Sequence, residues 1–340
     1  MHSLPEGLRE PDMSLVDCGA CVIESPQCEA CLKKFRLPLI ATLRNGCDHK
    51  VGFARFGAIY LLTTWPRWQR IGESVRAQLL SRQVGPEVRV VNGTAVDLHL
   101  HRAQFLNARS DGQRHRLAVS WAHTHVALDA LASNASSALV LEDDVRLIAN
   151  SSEAVDHIMS TLSKTPTWTG AATDQKGVPS CLRLGFAFMW TRNCSWDESS
   201  PFATFGRPRD VRSSVAVAYN RAALRKLSQW RWYRTGGTAK TCVDTVLGRM
   251  MDLEHLPIPP LATQVSKVTR QLGTVYGALS YCWFGTMGQY WPAKTRYRRQ
   301  HALAYAALER FQADMLHELR RPNETVLKRG ELQGNVVARE

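Results

Sequence analysis

No stretch of the sequence approaches the roughly 20 consecutive apolar residues that a bilayer-spanning helix needs, and its first residues lack the basic-then-apolar layout of a secretory signal. As written, nothing in it anchors or exports the chain. Also missing are a glycine-rich phosphate loop of the P-loop type, a His-Asp cluster able to build a two-metal site, any internal repeat, and any basic block or groove-reading motif. These absences disfavour P-loop nucleotide hydrolysis, other metal-dependent phosphoester chemistry and nucleic-acid reading. Charged residues make up 21% of the chain against 44% apolar, a balance near ordinary globular values that suggests neither disorder nor a fibrous repeat.

What is present is a chain of 340 residues, long enough to bury a full core, with a net charge of +13 that favours anionic partners. The basic residues are scattered, with small clusters such as Arg296-Tyr-Arg-Arg299 and Arg320-Arg321. Asn92, Asn134, Asn150, Asn193 and Asn323 each open an Asn-x-Ser/Thr sequon, more than the Ser and Thr content gives by chance. Two locations fit: the lumen of the endoplasmic reticulum or Golgi, were a targeting segment to precede the chain, or the cytoplasm. The pairs Cys18/Cys21 and Cys28/Cys31 offer four thiolates for one structural zinc, but the spacer between the pairs is shorter than a zinc ribbon uses; disulfides in an oxidising compartment fit as well.

Residues 1–56 read as a Cys-containing N-terminal extension without sustained periodicity. From Ala58 an apolar run, Ala-Ile-Tyr-Leu-Leu, predicts a strand, and Ile71, Val75 and Leu79 predict a helix over Trp68–Ser81. Glu87–Val91, closed by the turn pair Asn92-Gly93, completes a βαβ unit. A helix over Ser120–Ala132 follows, with Trp121, His125 and Leu128 on one face. Further strands are predicted at Ala138–Leu141, Cys181–Trp190 and Ser214–Tyr219, helices at Arg221–Gln229 and Val243–Asp252, and a stiff extended segment at Leu256–Pro260. In the tail, Leu308, Phe311, Met315 and Leu319 form a helical stripe that reads as a packing face.

The chemistry gathers at Glu142-Asp143-Asp144, which ends the apolar run Ala138-Leu-Val-Leu141. The carboxyl edge of an open α/β sheet is where ligands bind. Were the strand to continue, Glu142 and Asp144 would share a side, with Asp143 opposite. Two carboxylates so spaced suit Mn2+ or Mg2+ bridging a diphosphate, because hard cations take oxygen ligands from carboxylates and phosphates together. The plainer reading is three acids that cap a turn or pair with Arg146.

Ala138-Leu-Val-Leu-Glu-Asp-Asp-Val145 resembles the central motif of glycosyltransferase family 25, which includes lipooligosaccharide and procollagen galactosyltransferases. The same order of features continues over residues 58–265: Ile59-Tyr-Leu-Leu62 with Arg67 and Arg70, Asn92-Gly93, Thr124-His125, Val215-Ala-Val-Ala-Tyr219, Ala222–Leu227, Val243-Asp244 and Pro257–Gln264. Thr63-Thr64 stand where the family has an acidic-basic pair, and Ser120-Trp121 where it has Gly-Cys.

The resemblance implies an α/β fold of GT-A type, a Rossmann-like mixed sheet flanked by helices. It forms a single catalytic domain at 57–270, followed by a C-terminal helical extension at 271–340. It also implies inverting transfer of a hexose, galactose in the family's best-known members, from a UDP-sugar to a hydroxyl of a glycan, lipid-linked or protein acceptor, with Mn2+ or Mg2+ and no nucleic-acid partner. Glu142 and Asp144 would hold the metal, and Asp143 would touch the sugar or orient the motif. Asp244 would be the base, although an acid there also caps a helix. Thr63, Thr64, Arg67, Arg70, Asn92, Gly93 and His125 would line the donor site, although the arginines also read as solvated and His125 as a satisfied core residue. A glycan on Asn92 would obstruct that cleft, so this sequon is expected to be unused. The alternatives are a non-catalytic GT-A-like scaffold that binds nucleic acid or another partner, and another metal-dependent phosphate-ester enzyme.

Overall fold

The computed structural model describes residues 37–44, 51–93, 111–169, 177–185, 188–191, 194–195, 200–206, 209–212, 214–229, 243–257, 260–264 and 313. The paired cysteines Cys18/Cys21 and Cys28/Cys31, the sequons at Asn193 and Asn323, and the tail stripe Leu308, Phe311, Met315 and Leu319 lie outside the described residues.

The strands are β1 (Leu39–Arg44), β2 (Ala58–Thr63), β3 (Glu87–Asn92), β4 (Ser137–Glu142), β5 (Val145–Leu147), β6 (Ser180–Arg183), β7 (Phe188–Thr191), β8 (Cys194–Ser195), β9 (Phe202–Phe205), β10 (Arg209–Arg212), β11 (Ala216–Asn220), β12 (Leu253–Pro257) and β13 (Ala262–Gln264). The helices are α1 (Trp65–Ser81), α2 (Asp111–Ala132), α3 (Ser151–Leu162), α4 (Pro166–Thr169), α5 (Arg221–Ser228) and α6 (Val243–Met250). Nine strands form one mixed sheet in the order β1-β3-β2-β4-β11-β6-β12-β9-β8, while β10-β7 and β13-β5 form two-stranded ribbons.

Alternation along the strands splits the core into two layers. On one face Ile59, Leu61, Val88, Val90, Leu139 and Leu141 meet Val75 and Leu79 of α1 and Val155, Ile158 and Leu162 of α3. On the other, Tyr60, Leu62, Ala138, Val140, Val217 and Tyr219 meet Ala122, Val126 and Ala130 of α2, Leu224 and Leu227 of α5, and Leu247 of α6. The described residues therefore form a helix/sheet/helix α/β sandwich. No described helix is long and apolar enough to cross a membrane.

Several boundaries move from where the sequence puts them. The sheet begins at Leu39 rather than at Ala58, because β1 pairs antiparallel with β3, and Phe53 and Phe56 enter the core; part of the segment 1–56 belongs to the sheet. The single strand predicted over Cys181–Trp190 is two. Between β6 and β7 the chain passes Gly185, where a Cβ would collide with the Ala262 carbonyl, and the two strands then join different sheets. Leu256-Pro257, predicted as extended, is the end of β12, a strand that pairs with β6 on one side and β9 on the other.

Two buried polar arrangements hold the second layer. Asn220 caps α5 by accepting from the Ala223 N–H, and its amide also receives the Ser180 N–H and donates to the Trp168 and Val178 carbonyls. Arg183 and Glu254, both fully buried, form an ion pair with N–O distances of 3.2 and 3.3 Å. Nearby, Nδ1 of His123 on α2 bonds the Tyr219 hydroxyl at 2.8 Å, and its Nε2 is buried without a partner.

Burial first, then the Arg183 charge, depresses the His123 pKa to about 3. Between the ordinary histidine value of about 6.5 and that folded value, the unfolded chain binds a proton the native imidazole refuses. Its contribution to stability is complete above about pH 6.5 and falls by about 1.4 kcal/mol per pH unit on acidification. Denaturant unfolding from pH 7 to 4 should show this slope, and His123→Gln should flatten it.

Candidate active site

Three parallel strands, β3, β2 and β4, lie side by side at the heart of the sheet. From β2 the chain crosses over through α1 to β3 on one side; from β3 it returns through α2 to β4 on the other. The connections therefore diverge at the carboxyl ends of these strands, and a crevice opens there. The crevice, about 110 Å³, is lined by Leu62, Thr63 and Thr64 from the end of β2, Arg67 from α1, Gly93 after β3, Ala118, Val119 and Ala122 from α2, and Glu142, Asp143 and Asp144 from the end of β4.

Local sequence explains why these groups meet. Ala138–Leu141 are fully buried and hydrogen-bonded to β2 on one edge and β11 on the other, so the apolar strand cannot extend into the acids without burying charge. The strand stops at Glu142, and Asp143-Asp144 form a turn leading into β5. The strand alternation that would put Glu142 and Asp144 on one side thus does not continue through Asp144, yet the turn brings all three carboxylates to the crevice wall. Helix α1 starts immediately after β2 with Pro66 in its first turn, where a missing N–H costs no intrahelical hydrogen bond. That start places Arg67 over Asp143.

Asp143 is the most buried of the three. Its Oδ2 accepts from the Thr63 hydroxyl at 2.5 Å and pairs with Arg67 Nε at 2.8 Å, while its backbone N–H donates to the Leu62 carbonyl. Burial raises its pKa above the ordinary carboxylate range; the Thr63 hydrogen bond and the Arg67 charge oppose that shift, and Asp144 adds to it. Glu142 is half-buried and accepts from the Ser214 hydroxyl at 2.5 Å, with its N–H bonded to the Val215 carbonyl. Asp144 is also half-buried on the crevice wall.

The remaining predicted residues divide. Gly93 lines the crevice and donates to the Thr63 carbonyl at 2.7 Å. Asn92 is buried at the end of β3 beside it, and Arg70 is exposed on α1. His125 lies buried against Trp121, with ring centroids 3.3 Å apart; α2 contributes Ala118, Val119 and Ala122 to the wall and not His125. Asp244 is the second residue of α6, and its side chain is outside the described residues.

Sequence reasoning missed Ser214 and the small-residue wall of α2. Ser214 precedes β11, and only the antiparallel register Ala216↔Leu141 carries it to Glu142; nothing local in the sequence marks that pairing. Among the described residues no group of three or more His, Cys, Asp or Glu is arranged to hold a metal by itself. Glu142 and Asp144 instead fit the mode in which one or two carboxylates share a hard cation with phosphate oxygens.

No protein-family model matches the chain, and no curated protein matches it.

Because Thr63 and Arg67 both pull the Asp143 pKa down, Thr63→Val and Arg67→Ala should each shift its titration to higher pH. Carboxyl-carbon NMR of the two variants checks this; an unmoved or lowered titration contradicts the described contacts.

Proposed function

We propose that the chain is a GT-A-type glycosyltransferase that binds a UDP-hexose in this crevice and transfers the sugar to an acceptor hydroxyl. The observation carrying the proposal is that Glu142, Asp143 and Asp144 share one crevice, at the carboxyl ends of three parallel strands, with Thr63, Thr64, Arg67 and Gly93. The resemblance of Ala138–Val145 to glycosyltransferase family 25 supports the same reading from the sequence side.

In this reading Glu142 and Asp144 would hold Mn2+ or Mg2+ against the donor diphosphate. The cation would supply Lewis-acid relief of the charge that grows on the departing UDP. Asp143, clamped by Thr63 and Arg67, keeps the acidic turn in one conformation. Ser214 fixes the rotamer of Glu142 through its hydroxyl, a supporting contact of the kind that orients metal ligands. Ala118 and Ala122 expose so little side chain that a flat ring can approach α2 closely. Asp244 is assigned as the base that takes the acceptor proton, with the carboxylate favoured by its place in the first turn of α6.

The test is release of UDP from UDP-galactose by the full chain, with and without Mn2+. Activity should require the metal. Asp144→Ala should lower turnover by about a hundredfold or more, and Ser214→Ala by roughly 10- to 100-fold. Asp244→Asn should reduce kcat by about 10²–10⁴ with little change in KM. Equal activity in Asp144→Ala and the unaltered chain would exclude the assignment.

A further inference from the structure

The chain has nine asparagines, and five of them open an Asn-x-Ser/Thr sequence. The structure sorts the three sequons whose asparagine is described by whether the amide can carry a bulky substituent in the folded state. Asn92 is 7% exposed, at the end of β3 beside the crevice. Asn150 is exposed before α3, but the Ser152 side chain of its sequon packs against Gly52. At Asn134-Ala135-Ser136 both the asparagine and the serine are exposed, and only Ala135 between them is buried.

The backbone explains that exposure. Helix α2 ends in a Schellman motif: the Ala135 N–H reaches the Ala130 carbonyl at 2.8 Å and the Asn134 N–H reaches the Leu131 carbonyl at 3.0 Å. Asn134 sits at the left-handed position, with φ of 56°. The cap accounts for an asparagine or glycine at this position but puts no demand on the residue two further on. A hydroxyl at Ser136 is what an oligosaccharyl transferase requires, and it lies in the same exposed turn.

We propose that Asn134 is an N-glycosylation site and that the folded protein carries an oligosaccharide there. The donor is an oligosaccharide joined to a lipid diphosphate. The carboxamide nitrogen of Asn134 attacks the anomeric carbon, and the N–C bond forms as the C–O bond to the diphosphate breaks. The lipid diphosphate leaves with the bonding pair, and the carboxamide gives up one proton to the transferase. Asn134 precedes β4, whose other end bears Glu142, so strand length puts the glycan roughly 20 Å from the acidic turn. A glycan there leaves the crevice open, whereas one on Asn92 would have to displace buried core. The site stands independently of the sugar-transfer proposal.

The test uses the protein purified from the cells that make it. It is treated with peptide-N-glycosidase in heavy-oxygen water, beside an enzyme-free control because Asn92-Gly93 is a pair prone to spontaneous deamidation, and its peptides are then mapped by mass spectrometry. Enzyme-dependent conversion of Asn134 to labelled aspartate, with Asn92 unlabelled above the control, is the expected result. An unconverted Asn134 overturns the proposal, and so does enzyme-dependent labelling of Asn92, which would void the burial criterion. Full-length Asn134→Gly and Ser136→Ala, made in the same cells, should each lose one glycan step in gel mobility. Glycine preserves the left-handed cap and serine 136 plays no part in it, so both variants should fold; unchanged mobility in either also overturns the proposal.

Discussion

Everything at the candidate site depends on one constraint: a strand buried on both faces and hydrogen-bonded along both edges has to end where its first charges begin. Ala138 to Leu141 are wholly inaccessible, between β2 and β11, and the next three residues are acids. Carrying them further into the sheet would bury ionised carboxylates at a cost of several kcal/mol each. The strand therefore stops, the turn forms, and the acids come out at the crevice made by the diverging crossovers. Thr63 and Arg67 then find Asp143 because β2 runs parallel to β4 in a register that ends both strands together.

The two ends of the sheet do different work. At the carboxyl end, charged and hydroxylic groups converge and the backbone approaches closely at Gly93. Toward the start of β4 the helix-to-strand connection is a capped turn, with Arg221 reaching back to the Ala135 carbonyl at 2.9 Å. Tyr60 and Arg89 both bond Asp129 near the end of α2, tying that helix to β2 and β3. The scaffold beneath the crevice is thereby fastened at its far end, and α2 can offer a rigid wall of small residues to whatever the crevice holds.

Local pattern made the centre of this fold legible and long-range pairing hid its margins. The apolar run before Glu142 and the helical spacing of Val75 and Leu79 are each decided within a few residues, and each lies where periodicity places it; the pair Asn92-Gly93 marks the end of β3, with Asn92 its last residue. That Thr63, Thr64, Arg67, Gly93 and the three acids would lie close together was legible for the same reason, since strand ends in such a sheet converge. Edge strand β1 was not, because a short half-exposed strand acquires its role only by pairing with β3. Ser214 was not, because it acts across an antiparallel register between segments far apart in the chain. The Arg67–Asp143 ion pair was not, because a surface pattern on α1 does not reveal which group across the crevice the guanidinium meets. His125 followed its helical face into the core beside Trp121.

Calorimetric titration of the full chain with UDP-galactose, with and without Mn2+, beside Asp144→Ala, tests most directly the proposal that the acidic turn is a metal-assisted nucleotide-sugar site. The account predicts binding that needs both the cation and Asp144. Binding that persists in Asp144→Ala, or no binding to any UDP-sugar when Mn2+ is present, would contradict it.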